Sequence, residues 1–120
     1  MHIYNFEKLE VWQLSRQLVK KIYITTQYFP ENEKYGLINQ LRRASVSISS
    51  NIAEGIGRIT NKERARFIEI AYSSLLEVLN QIILSNDLGF INEEELLSFR
   101  KDIDLLSNKL NAFHRKLLNS

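Results

Sequence analysis

The sequence predicts an all-α fold, an antiparallel up-down-up-down four-helix bundle, and three observations carry that expectation. Apolar residues recur at alternating three- and four-residue spacing through four segments, as they do on helices with one buried face. Pro30, then Gly55 and Gly57, then Gly89 separate the segments, and the short connections make successive helices antiparallel neighbours. With 44% hydrophobic and 25% charged residues but only four glycines and one proline, the chain lacks the turn residues an all-β protein uses. Its 120 residues suffice for a single domain, 1–120, with a real core.

The first helix is expected over about 7–29, where Trp12, Ser15, Val19, Ile22, Thr26 and Phe29 form one face, widened by Leu14 and Leu18. Pro30-Glu31-Asn32-Glu33 then places acidic side chains where a helix start is partially positive, so the second helix is expected over about 33–54. Inside it, Ser45-Val46-Ser47-Ile48-Ser49 alternates like a half-buried strand, whereas Leu37, Leu41, Ala44, Ile48 and Ile52 keep helical spacing. No other segment remains to pair with a strand there, and a lone strand leaves its backbone groups unpaired. Helix is therefore the expectation.

Thr60-Asn61-Lys62-Glu63 has the T-x-x-E form of a capping box, which starts the third helix, about 61–88. Ile68, Ala71, Leu75, Val78 and Ile82 are its core face, broadened by Leu79 and Ile83, and Gly89 can adopt the left-handed conformation at its end. Asn92-Glu93-Glu94-Glu95 caps the fourth helix, about 93–118, whose Leu96, Phe99, Ile103, Leu106, Leu110, Phe113 and Leu117 form the most regular pattern in the chain.

Several kinds of chemistry find no support. Without cysteine there is no thiolate nucleophile, disulfide or cysteine-ligated metal. His2 and His114 are the only histidines, and Asn111 stands where a Glu-x-x-His pair would need its glutamate, so a di-iron bundle is not indicated. Glu54-Gly55-Ile56-Gly57-Arg58 matches neither a P-loop nor a dinucleotide loop, and helix termination at Gly55 or Gly57 explains its glycines. The expectation is no catalytic residue, no metal and no cofactor. Apolar runs of a few residues predict no membrane span, and the N-terminal residues lack the basic and apolar regions of a signal peptide, which makes the cytoplasm the expected location.

Charge is distributed unevenly although the net is only +2. Residues 42–66 hold Arg42, Arg43, Arg58, Lys62, Arg64 and Arg66 against Glu54 and Glu63, while residues 87–104 are acidic. Arg58, Lys62 and Arg66 fall four apart with Arg64 nearby, a candidate nucleic-acid surface that is equally readable as a solubilising helix face. Arg43, Ser47, Asn51 and Glu54 form a polar stripe beside the apolar face of the second helix; its bland reading is a solvated side. If that stripe is partly buried, Arg42 and Arg43 need carboxylates, and Glu54 and Glu77 are the candidates for a structural ion-pair network. A nucleotide-processing role for Glu54 with Glu77 would require a polar pocket. Ala44, Ser45, Ser47, Ser49, Ser50 and Ala53 are small enough to admit a close neighbour, within the bundle or from another subunit. Trp12 reads as an anchor for the bundle or for a subunit contact.

The runs "FEKLEVWQLSRQLVKKIY", "FPENEKYGLINQLRRASVSISSNIAEGIGR" and "RFIEIAYSSLLEVLNQI" resemble the four-helix bundle proteins called 23S ribosomal RNA intervening sequence proteins, closely over residues 6–92 and by pattern beyond. Gln40, Arg42, Arg43, Ser47, Asn51, Ala53, Glu54, Gly55, Arg58, Ser74 and Glu77 match the family pattern, and Ser73 departs from it where the family usually has glycine. The resemblance implies a ring-like homopentamer. It also implies an architecture similar to the pentameric accessory protein of diversity-generating retroelements, which engages nucleic acid and a reverse transcriptase through a basic surface. The functional expectation is a non-enzymatic homo-oligomeric module that binds structured RNA or DNA, with a protein partner as a further option. The alternative is a structural or protein-protein interaction scaffold that binds no nucleic acid.

Overall fold

The computed structural model describes all 120 residues and contains four long helices and no strand. They are α1 (Glu10–Thr26), α2 (Asn39–Ile56), α3 (Asn61–Asp87) and α4 (Glu93–Leu118). The molecule measures 45 × 29 × 22 Å, and its long axis matches the roughly 40 Å that the 27 residues of α3 span at 1.5 Å each. Specific side-chain ties show that neighbours run antiparallel. Gln40 meets Gln81 and Ser47 meets Ser74 across α2 and α3. Lys21 meets Asp102 and Glu10 meets Lys109 across α1 and α4. Glu69 near the start of α3 faces His114 near the end of α4.

One core runs through all four helices. Ile48 and Ile52 of α2, Leu75 and Val78 of α3, and Ile103 and Leu110 of α4 are fully enclosed, as the spacing predicts. The strand-like stretch is helix: Ser45 donates to the Arg42 carbonyl (3.0 Å) and Ser49 to the Val46 carbonyl (3.0 Å), so these hydroxyls are satisfied within the helix itself. The most apolar helix is α3, with a window of mean hydropathy 1.4 that is long and apolar enough to cross a bilayer. Ile68, Ala71, Leu75, Val78 and Ile82 account for that hydropathy by filling the core.

Four boundaries differ from the expectation by two residues or more, among them the end of α1, which stops at Thr26 instead of 29. Asn5–Lys8 form a separate 3-10 turn, and extended Leu9 (φ −80°, ψ 133°) delays α1 to Glu10. The face of α1 is also turned toward Val11 and Leu18, which are buried, leaving Trp12 and Val19 half-buried. Trp12 packs edge-on against Phe6 (5.1 Å), a contact that periodicity within one helix does not contain. Between α1 and α2, Glu31–Glu33 and Lys34–Ile38 form a 3-10 turn and a wide π-type turn, so regular helix starts at Asn39 instead of 33. Gly36 is the reason: its backbone is non-helical, and the Glu33 carboxylate, which accepts from the Leu37 N–H, lies 2.8 Å from where a Cβ would stand. At the other end, α2 continues past Glu54 to Ile56.

The termini of α3 and α4 follow their sequence signals more closely. Gly89 is left-handed (φ 80°). Its N–H bonds the Asn86 carbonyl (3.0 Å) and the Phe90 N–H bonds the Ser85 carbonyl (2.8 Å), the paired bonds of a Schellman stop. Thr60 accepts from the Glu63 N–H (3.1 Å), but the returning limb of the expected box is missing because the Glu63 carboxylate takes Arg66 instead. Asn92 and Glu95 form both limbs, at 2.8 and 3.0 Å. Asn92→Ala is therefore expected to destabilise the protein by about 1 kcal/mol. Urea denaturation measures this, and an unchanged midpoint contradicts the role given to the cap.

Candidate nucleic-acid interface

The interface between α2 and α3 is the most extensive in the molecule, and Gly55 sets its closeness. A Cβ at Gly55 would stand 2.5 Å from the Phe67 Cβ, far inside contact distance, so only glycine lets the two backbones meet here. Gly55 is thus a buried packing residue within the last turn of α2, and Gly57, not Gly55, ends the helix. Along the same seam the Ser47 and Ser74 hydroxyls share a hydrogen bond (2.9 Å), and the Asn51 amide donates to the Ser47 carbonyl (2.8 Å) and hydroxyl (3.1 Å). Half of the polar stripe, Ser47 and Asn51, is therefore a structural seam; Arg43 and Glu54 are exposed.

The expected ion-pair network does not form within the chain. Arg42 turns to α1, where its Nε donates to Thr26 Oγ1 (3.0 Å), its Nη2 to the Tyr23 carbonyl (3.3 Å), and its guanidinium lies 4.5 Å from the Tyr23 ring centre. A cation at the C-terminal carbonyls of α1 complements the helix dipole, which explains the placement without a carboxylate. Arg43 is exposed, and Glu54 stands eleven residues, about 16 Å, further along the same helix, out of its reach. Glu77 is exposed as well, and no ion pair links it or Glu54 to Arg42 or Arg43.

The basic residues converge at the α2–α3 corner. Arg58 belongs to the turn before α3 and not to the helix, so the regular i, i+4 spacing with Lys62 is not what aligns it. Phe67 aligns it instead: the Arg58 guanidinium lies 4.6 Å and the Arg66 guanidinium 4.9 Å from the centre of this ring. The two cations are consequently less than about 10 Å apart, of the order of the Debye length at 0.1 M salt, so each feels the other's charge. The aromatic face offsets part of that repulsion. Arg66 also contacts Glu63 (3.2 Å). Lys62 is exposed and has no ion-pair partner.

Arg64 has a different role from the one its charge suggests. It is half-buried and donates to the Arg58 carbonyl (2.8 Å) and to Asn61 Oδ1 (2.9 Å), which fastens the turn that carries Arg58. Periodicity points to the charges but not to Phe67, because Arg58 and Arg66 are brought to one ring by the fold of the turn. No three His, Asp or Glu side chains come together in a way that could hold a metal ion.

The fold and the cationic corner organised around one aromatic ring define a small all-α four-helix bundle. The chain belongs to the 23S rRNA-intervening sequence protein family, whose model matches residues 7–112 and so reaches well into α4. Its fold is similar to that of a crystallised protein of unknown function from the S23 ribosomal protein family of Bacteroides thetaiotaomicron, with a TM-score of 0.77 and 20% identity over 87% of this chain and 97% of that one. No curated protein matches the chain.

Proposed function

We propose that the protein is a non-enzymatic, homo-oligomeric helical-bundle module, assembled as a pentamer, that binds structured RNA or DNA through Arg58, Lys62 and Arg66. The convergence of Arg58 and Arg66 on Phe67, with Lys62 exposed beside them, carries this reading. A phosphate held there relieves the repulsion between the two cations, of which Arg66 alone has a carboxylate, Glu63, beside it. One protomer neutralises only a few phosphates and binds weakly at physiological salt. Repetition of the patch around a ring supplies the avidity that one copy lacks.

Substituting Arg58, Lys62 and Arg66 together by glutamate is expected to weaken binding to an RNA hairpin or a DNA duplex by well over tenfold. Lys62→Glu alone, at an exposed side chain with no partner to lose, is expected to weaken it measurably with the fold intact. Unchanged affinity in both variants contradicts the assignment.

Assembly is supported by the outward sides of α2 and α3, where Val46, Ile70, Leu76 and Leu84 are exposed alongside unpaired Arg43, Glu54 and Glu77. A neighbouring copy would cover these apolar groups and bring Arg43 against a carboxylate. Light scattering is expected to give five times the 14.1 kDa protomer mass; a monomer contradicts this part of the proposal. The charge segregation between residues 42–66 and 87–104 favours a second reading, a scaffold whose subunits are oriented by electrostatics alone. An oligomer that salt dissociates and that binds no nucleic acid would select it.

A further inference from the structure

We infer that the groove between α3 and α4 accepts a single unpaired guanine nucleotide, its base between Tyr72 and His114 and its phosphate at Lys62 and Arg66. This rests on the nucleic-acid reading of the basic corner and gives it a base-selecting half. Lys62, Arg66, Glu69 and Ser73 follow one another on a single strip of α3 at spacings of four, three and four. Two cavities of about 290 and 300 Å³ lie along that strip and share Glu69 and His114, so they form one continuous groove. One end of it carries Lys62, Arg66 and Glu63, and because Glu63 contacts Arg66 (3.2 Å), Lys62 is the cation there without an ion-pair partner. The other has an apolar floor of Ile68 and Leu110, both fully buried, and polar walls that include Glu69, Tyr72, Asn111 and His114.

This is the division that a nucleotide has. An unstacked base presents flat apolar faces, suited to the Ile68 and Leu110 floor and to stacking on tyrosine or histidine rings, and a polar edge to be read by hydrogen bonds. Glu69 and Asn111 are the readers available. Glu69 is held only loosely, since His114 Nε2 is 3.8 Å from its carboxylate, beyond hydrogen-bond length, and its oxygens remain open to a ligand. Asn111 and Tyr72 make no side-chain hydrogen bond within the chain. A carboxylate only accepts at neutral pH, so it selects an edge bearing N–H donors. Guanine offers two adjacent ones, N1–H and the 2-amino group, which match the two carboxylate oxygens. Glu69 and Lys62 are seven residues apart, about 10 Å along the helix, comparable to the reach of a nucleotide from base to phosphate.

The test uses fluorescence anisotropy with the full-length protein and a labelled oligouridine containing one central guanosine, alongside strands with adenosine or an abasic residue there. The guanosine strand is expected to bind roughly tenfold more tightly than either control. Glu69→Gln should abolish that preference even though removing a negative charge favours binding of a polyanion, so its effect cannot be electrostatic in the general sense. Equal affinity for the three strands, or a preference that survives Glu69→Gln, overturns the inference while leaving the basic surface standing. Failure of the guanosine strand to bind overturns the inference too, whereas the basic surface stands or falls on binding to the RNA hairpin and the DNA duplex. A titration with guanosine monophosphate, followed by NMR at Tyr72 and His114, separates the two sources of the ligand: saturable shifts assign the groove to free nucleotide, and shifts only with the strand assign it to the polymer.

Discussion

Phe99→Ala is expected to destabilise the protein by about 3–5 kcal/mol. Phe99 is 1% exposed, and its ring is the largest fully buried side chain in the core. It also supports the contact between α4 and α1. Lys21 Nζ lies 4.5 Å from the ring centre while bonding Asp102 and Ser98 on the flanking turns of α4, so the ring positions the cation that ties the two helices. Truncation leaves a cavity and removes that positioning together. A domain with total stability on the order of 5–15 kcal/mol loses a large part of it. Urea denaturation at fixed protomer concentration measures the change; a loss below about 1 kcal/mol contradicts this packing.

Gly55→Ala is expected to destabilise the protein by about 1–3 kcal/mol, against the usual effect of this replacement in a helix. Alanine is favoured over glycine inside a helix by about 1 kcal/mol, so propensity alone predicts stabilisation. Packing reverses the sign. The added methyl would lie 2.5 Å from the Phe67 Cβ and 3.3 Å from its Cγ, and the Phe67 Cβ cannot move without its backbone. The helices must separate at the crossing that also positions Phe67 beneath Arg58 and Arg66, so the basic corner should loosen as well. Gly57→Ala is the internal control. Its backbone is right-handed helical (φ −78°), and the nearest atom to an added Cβ is the Glu54 carbonyl oxygen at 3.4 Å, so little change is expected. Equal thermal unfolding of the two variants would contradict the close approach.

Much of the fold was legible because its signals are local. Gly89 and Asn92 act through their own backbone and a few neighbouring residues, and Phe99, Ile103, Leu106 and Leu110 repeat with one period along one uninterrupted helix. The strand-like alternation at Ser45 to Ser49 was resolvable because no other segment remained to pair with a strand there. Less legible were features settled by contacts between elements. The delayed start of α2 depends on the Glu33 carboxylate filling the space that Gly36 leaves, and the rotation of α1 toward Val11 and Leu18 depends on what α1 packs against.

The site divides in the same way. Arg58, Lys62 and Arg66 are visible as charges in a chain, but the role of Arg64 in fastening the turn and the convergence on Phe67 require the fold. Pairing Arg42 and Arg43 with Glu54 and Glu77 was a plausible charge balance; helix rise places Glu54 out of reach, and the end of α1 supplies Arg42 with carbonyl and hydroxyl acceptors instead.

The central claim, that the Arg58, Lys62 and Arg66 corner is a phosphate-binding surface, is tested most directly by the salt dependence of binding to a structured RNA. The logarithm of the association constant, plotted against the logarithm of salt concentration, has a slope set by the number of phosphates neutralised. Reversing the three charges is predicted to flatten that slope by about 2–3 for each protomer in contact with the RNA. Identical slopes for the wild-type and substituted proteins would place the contacts elsewhere and contradict the account.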